Sequence, residues 1–242
     1  MHKVLVCIPA YNEGENISPV LDEIRMAASH YCDILVIDDG SQDNTREVCK
    51  GKGIPVISHI YNLGYGAALK TAYEYAAEHD YDFVIQMDAD GQHDVINIER
   101  IYQEISSTDA DIVIGSRFLG EGSDLKTSFL KKIAVGILDY MIKLTSKVVV
   151  TDPTSGLQGI SRKAFLFYAR FNHFSLDYPD ANMIVQMALN KFNITEIPAI
   201  MHPRHAGKGM HSGIFKPIRY ILLMTLSILI VRIREAKHAK GR

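Results

Sequence analysis

The sequence predicts an α/β protein, built on a mostly parallel sheet with helices on both faces. Three observations predict it. Short runs rich in Val and Ile are almost continuously apolar, as strands buried on both sides read. Between them lie longer segments with apolar residues three and four apart, the helical period. Polar residues cluster where the apolar runs stop, and in a parallel sheet those carboxyl ends border the ligand crevice.

In chain order, strands are expected at Val4–Pro9, Ile34–Asp38, Pro55–Ile60, Phe83–Met87 and Ile112–Ile114. Helices are expected at Ile17–Ala28, Thr45–Lys50, Ala67–Ala77 and Ile96–Ile105. Strand–helix repetition of this kind places successive strands parallel. After about residue 120 the rhythm weakens. Leu130–Leu144 reads as a helix, Asp152-Pro153-Thr154-Ser155-Gly156 as a loop, and Ile194–Ile200 as one more strand. Residues 1–212 are expected to form one domain, with 213–242 as a C-terminal helical appendage.

Composition is that of a globular chain, 47% hydrophobic and 22% charged over 242 residues. The formal charge of −2 hides an asymmetry, because from His202 onward there are nine Lys or Arg and one acid, Glu235. A basic tail on an acidic body points to an anionic surface. The aromatic-plus-basic interleaving of a nucleic-acid module is missing, so nucleic acid is not the expected partner. The apolar stretch Tyr220–Val231 falls short of the roughly 20 apolar residues needed to span a bilayer. With Lys216, Arg219, Arg232, Arg234, Lys237, Lys240 and Arg242 around it, it suits a helix lying at a membrane surface. Docking on a membrane protein, self-association and plain core packing are the alternatives. Three cysteines without metal-site spacing, and a strand-like start directly after Met-His-Lys, lead to the expectation of a cytoplasmic, peripheral protein on the inner membrane face.

The chemistry-bearing residues start with Asp88-Ala89-Asp90 at the end of a predicted strand. Side chains two apart on an extended chain point the same way, so both carboxylates can face one point. Hard oxygen ligands suit Mg²⁺ or Mn²⁺, and Gln92 can add an amide oxygen. The alternative is a pair of turn acids capping the next helix. His93 is read as a neighbour, since no second His or Cys lies at zinc-site spacing. Tyr11, Glu13, Asp38 and Asp39 can stack on a base or accept from base and ribose, or can serve as turn and cap residues. Asn62-Leu63-Gly64-Tyr65-Gly66-Ala67 either offers backbone N–H groups to a phosphate or is a close-packing turn. Arg117, at the end of the fifth strand, and Arg204 can clamp phosphate oxygens or lie solvated at the surface.

Taken together these stretches resemble glycosyltransferase family 2, in its dolichol-phosphate mannose synthase-like, polyprenyl-phosphate branch. The matching segments are Ile8–Glu13, Ile37–Ser41 with Asp43 and Thr45, Asn62–Ala67, Met87–His93, Ile114–Arg117, Asp152–Gly156, and Glu196-Ile197-Pro198 followed by Arg204. The resemblance implies a GT-A, Rossmann-like fold and inversion at the anomeric carbon. It implies that Pro9, Tyr11, Glu13, Ile37 and Asp39 hold the nucleoside of a nucleoside-diphosphate sugar, and that Asp88, Asp90 and Gln92 lie at the metal. Ala89, Arg117, Arg204 and Lys208 are expected along the same donor. Asp90, Asp180 and Arg117 are the expected catalytic residues. The acceptor implied is a polyprenyl phosphate or a lipid-linked glycan.

Two departures stand beside the resemblance. Gly209 and Met210 occupy places where the synthases show Ser and a basic residue. Asp177-Tyr178-Pro179-Asp180 lies where other family members place a catalytic carboxylate for hydroxyl acceptors, so Asp180 or Asp177 is either a base or a helix cap. The competing functions are a transferase extending a lipid-linked or surface polysaccharide, and an inactive scaffold recruiting a membrane partner. A nucleotidyltransferase is disfavoured, because Ala10–Gly14 lacks the Gly-rich, basic loop such enzymes place after the first strand.

Overall fold

The computed structural model describes residues 2–120, 129–170, 173–176, 178–204 and 215–240. Asp177 and Lys208 lie outside these residues. The elements are β1 (Val4–Ala10), α1 (Ile17–Ala28), β2 (Cys32–Asp38), α2 (Thr45–Gly51), β3 (Val56–Ser58), α3 (Tyr65–Glu78), β4 (Phe83–Gln86), α4 (Ile96–Ser107) and β5 (Ile112–Ser116). They continue with α5 (Phe129–Ser146), β6 (Gln158–Ser161), α6 (Arg162–Ala169), α7 (Ala181–Leu189), β7 (Ile194–Pro198) and α8 (Phe215–Lys240). One seven-stranded sheet has the order β3-β2-β1-β4-β6-β5-β7. All pairings are parallel except those of β6, which runs antiparallel between β4 and β5.

The continuous apolar runs are explained by burial on both faces. Val4, Val6 and Ile8 of β1 join the core under α1, α2 and α4, while Leu5 and Cys7 point into a second core. That second core lies under α3, α5, α6, α7 and α8. Tyr73 of α3 stacks on Tyr168 of α6 with ring centroids 5.4 Å apart, and Phe174 meets both rings edge-on. The three cysteines are free and buried.

The expected strands and helices of the first half are present, each boundary within two residues. Two elements were not anticipated. β6 contains a single strongly apolar residue, Ile160, and is a strand because two neighbours supply its hydrogen bonds. α6 follows at once, its start capped by the Ser161 side chain accepting from Ala164 N. The C-terminal helix is longer than its apolar stretch, and Tyr220, Met224, Ile228 and Val231 bury one stripe of it in the second core. Among the described residues no helix is long and apolar enough to cross a membrane.

Because β1, β2, β4 and β5 run parallel, their carboxyl ends share one edge, and the loop before β6 enters there. The chain thereby gathers residues 10–14, 38–41, 87–93, 116–118 and 151–157 along that edge. Truncating Phe165, fully buried between α6 and the sheet, is expected to cost about 3–5 kcal/mol. Urea denaturation of Phe165→Ala against the parent checks this.

Candidate active site

Asp88 and Asp90 follow β4 directly, where the backbone leaves the sheet. Asp88 Oδ1 accepts from the Tyr65 hydroxyl at 3.0 Å, and its Oδ2 lies 3.4 Å from Nε2 of the buried His93. Gly156, in the loop before β6, makes room for this carboxylate. A Cβ there would stand 2.3 Å from Asp88 Oδ2 and 2.7 Å from Oδ1. Asp90 is 8% exposed; its Oδ1 accepts from Gln92 N at 3.0 Å, and its Oδ2 lies 3.3 Å from Arg204 Nη1. The other Arg204 nitrogen, Nη2, meets Glu13 Oε1. One guanidinium from near residue 200 thus bridges an acid after β1 and an acid after β4. The segment carrying it is laid along residues 92–97 by backbone bonds, with His202 N donating to Gln92 O at 2.7 Å and Asp94 N to Ile200 O at 3.2 Å.

The two aspartates titrate in opposite directions. Burial pushes the Asp88 carboxyl up, but the His93 ring, the Tyr65 hydroxyl and the Arg117 charge outweigh it and hold the group below its ordinary value. For Asp90, burial and then the charge of Asp88 raise the carboxyl, against Gln92 N–H, His93 and Arg204. Two like charges forced into one cleft make a site that gains from a cation.

Arg117 is held by Asp152, which is fully buried. Nε and Nη2 form a forked pair with Asp152 Oδ2 and Oδ1, each at 2.6 Å, and Nη2 also reaches Thr154 Oγ1 at 2.7 Å. The Asp152 backbone is fixed in turn by Glu196, whose carboxylate accepts from Thr151 N and Asp152 N. The forked face of Arg117 is therefore engaged within the protein, and Nη1 makes none of these bonds. A bidentate clamp on phosphate would require breaking the pair with Asp152.

Around β1 and β2, Tyr11 is 45% exposed and Glu13 is half-buried. Asp39 is buried and its carboxylate accepts from Leu63 N at 2.9 Å and Gly64 N at 2.8 Å, with His59 Nδ1 at 2.7 Å. Asp39 thus fixes Leu63 and Gly64, the two residues ahead of α3, and Gly66 packs against the Ser175 and Leu176 carbonyls, where a Cβ would come within 2.3 Å. The close approach at Gly66 supports the packing-turn reading of residues 62–67. Pro9 and Ile37 are paired across β1 and β2, and the Ile37 side chain is fully buried in the core. Ala89 is also buried between the two aspartates. Gln92 is tied to His202, its Nε2 3.4 Å from the His202 carbonyl.

Asp180 precedes α7 but forms no side-chain cap. Asn182 Oδ1 accepts from Asp180 N and Met183 N instead, while Asp180 itself stands at the N-terminal boundary of α7, as the helix-start alternative expects. The half-buried Asp180 carboxylate accepts from the Tyr220 hydroxyl at 2.6 Å. Burial pushes it up to about 6; the Tyr220 bond and the Arg117 charge oppose the rise, while Asp88 and Asp152 add to it. Sequence reasoning passed over Tyr65, Asp152 and Tyr220 as individual residues. The first two lie inside segments that carried the family resemblance, which was the available signal; Tyr220 had none.

Among the described residues no three His, Cys, Asp or Glu side chains form a metal-binding cluster. Asp88 and Asp90 fit a hard divalent ion whose remaining ligands are water and substrate phosphate, since Mg²⁺ is commonly held by one or two carboxylates. The space opened by Gly156 and the mutual repulsion of the pair support that fit.

Comparison with known proteins bears on family and fold. The chain is 33% identical over 162 residues to an uncharacterised protein of Methanocaldococcus jannaschii, covering 67% of this chain and 66% of that one. It is 28% identical over 240 residues to UDP-N-acetylglucosamine–dolichyl-phosphate N-acetylglucosaminyltransferase of Methanococcus voltae, covering 91% and 95%. Among solved structures, glucosyl-3-phosphoglycerate synthase from Mycobacterium tuberculosis, in complex with Mn²⁺ and UDP-glucose, superposes with a TM-score of 0.66 at 18% identity, covering 96% of this chain and 79% of that one. That likeness shows the shared GT-A fold. The family model described as glycosyl transferase family 2 matches residues 5–167, two thirds of the chain, and this protein belongs to that family of glycosyltransferases.

Proposed function

We propose that this glycosyltransferase moves a sugar, with inversion, from a nucleoside-diphosphate sugar to a polyprenyl phosphate at the cytoplasmic face of a membrane. The observation that carries the donor side is the grouping of Asp88, Asp90, Glu13 and Arg204 at the carboxyl edge of the sheet. In this reading Tyr11 stacks on the base, Glu13 and Asp39 lie along the nucleoside beside the backbone of Pro9 and Ile37, and Ala89 floors the cleft. Arg204, Nη1 of Arg117 and Lys208 face the diphosphate. Asp88 and Asp90, with Gln92 beside them, would hold Mg²⁺ or Mn²⁺, which when bound neutralises charge on the departing diphosphate.

The dolichyl-phosphate transferase of M. voltae, aligned over nearly its whole length, supports a lipid-phosphate acceptor. So does α8. Opposite its buried stripe, Leu222, Leu226, Leu229, Ile230 and Ile233 are exposed, and Tyr140 and Leu144 of the adjacent α5 are exposed as well. Arg219, Arg232 and Lys237 are exposed along the same helix, which suits an interfacial helix against anionic lipid. In this proposal residues 213–242 act as the docking element of a catalytic domain spanning 1–212.

The role proposed for Asp180 is to take a proton from the acceptor. A phosphate monoester loses its second proton near pH 6, close to the value of about 6 to which Asp180 is pushed, so transfer between them is nearly balanced. The same carboxylate supports a second reading, transfer to a hydroxyl of a lipid-linked or surface polysaccharide, where a base is required. Because Asp180 acts in its ionised form, turnover falls as pH drops through about 6.

Three outcomes test these readings. Incubation with labelled UDP- and GDP-sugars and farnesyl phosphate is expected to give a lipid-linked product; product only with an oligosaccharide acceptor overturns the phosphate reading. Asp90→Ala is expected to lower kcat/KM by roughly 10²–10³-fold and to abolish Mn²⁺-dependent donor binding in calorimetry while the thermal midpoint holds. Leu226→Glu with Ile230→Glu is expected to release the protein from anionic vesicles in co-sedimentation, and unchanged binding rejects the docking face.

A further inference from the structure

The helix that closes the second core also reaches into the candidate site. Tyr220 of α8 is 8% exposed, and its hydroxyl donates to Asp180 Oδ2 at 2.6 Å. Its ring is braced edge-on by Tyr178, with centroids 5.4 Å apart and an interplanar angle of 80°. Further along the same interface, Asn182 Nδ2 donates to Ser227 Oγ at 2.8 Å and Asn190 Nδ2 to Glu235 Oε2 at 3.0 Å. These rungs lie on one side of α7 and fix the register of α8 along it. A slide of one helical turn would carry the Tyr220 hydroxyl about 5.4 Å from its partner and unpair both amides. The Asp180 backbone is held by α7, its carbonyl accepting from Met183 N and Ile184 N, but its carboxylate caps no N–H there, because Asn182 Oδ1 takes those of Asp180 and Met183.

We infer that Tyr220 is a positioning residue for glycosyl transfer: its hydroxyl aims the Asp180 carboxylate, and the C-terminal helix is thereby a structural part of the active site. The inference rests on the reading of Asp180 as the acceptor-side carboxylate. The groups that act on Asp180 are Tyr220 from α8, Asp88 after β4, Arg117 after β5, Asp152 in the loop before β6 and Tyr65 on α3. A donated hydrogen bond favours the ionised carboxylate, so losing it raises the group further. Coupling follows from the geometry: whatever seats the outer face of α8 also seats Tyr220, and through it Asp180.

The test compares the full chain with Tyr220→Phe and Asp180→Asn, using UDP- and GDP-sugars with farnesyl phosphate. Phenylalanine keeps the ring contacts, so the thermal midpoint of Tyr220→Phe is expected to hold. Its kcat is expected to fall about tenfold with donor KM unchanged, and the acid limb of its pH profile to move up by about one unit. Asp180→Asn is expected to lose more than Tyr220→Phe. If Asp180→Asn is inactive while Tyr220→Phe keeps the parental kcat and acid limb, the inference is overturned and the reading of Asp180 stands. Full activity in Asp180→Asn overturns both. A Tyr220→Phe variant that loses thermal stability and donor affinity together, with its pH profile unmoved, assigns the tyrosine a purely structural role and also overturns the inference.

Discussion

Carboxylates brought together in a cleft repel one another, and the carboxyl edge of this sheet gathers Glu13, Asp88, Asp90, Asp152 and Asp180 around two arginines. The rest of the site follows from how that repulsion is managed. Arg117 is committed to Asp152 in a buried forked pair, and removing either partner would strand a charge out of water. Arg204 bridges Glu13 and Asp90, joining the first and last segments of the site. Asp88 stays ionised because Tyr65 and His93 meet its oxygens, while Asp90 and Asp180 are driven upward.

The sheet supplies the rigidity this arrangement needs. Four parallel strands end on one edge, and each delivers a polar segment whose backbone is fixed by pairing with its neighbours. The antiparallel β6 brings the loop with Asp152 and Gly156 to the same place from the opposite chain direction. Gly156 then packs against the Asp88 carboxylate at a distance that no side chain would permit. The two cores, one on each face, leave little freedom for the strand ends to shift.

The C-terminal helix joins the catalytic edge to the outer surface. Its inner stripe is part of the core, its outer stripe is aliphatic and flanked by basic residues, and at its start Tyr220 touches Asp180. Viewed along the chain, it reads as a tail of mixed hydrophobic and basic character. Only its packing on α7 shows that one element both presents an apolar face and bonds the Asp180 carboxylate.

Local sequence determined the alternating elements of the first half, because a strand covered on both faces must be apolar at nearly every position and an amphipathic helix must repeat every three to four residues. It also placed the acidic pair directly after β4, although the turn at Ala89-Asp90, and not an extended stretch, sets the directions of the two side chains. Tertiary structure alone decided β6, whose Gln-Gly-Ile-Ser has no pattern and becomes a strand by pairing on both sides. It decided that Asp39 fixes Leu63 and Gly64 ahead of α3, that Arg117 spends its fork on Asp152, and that Tyr220 meets Asp180 forty residues away. Each of these depends on which polar group a buried partner reaches first. That is a matter of distance in the folded chain, which periodicity does not encode.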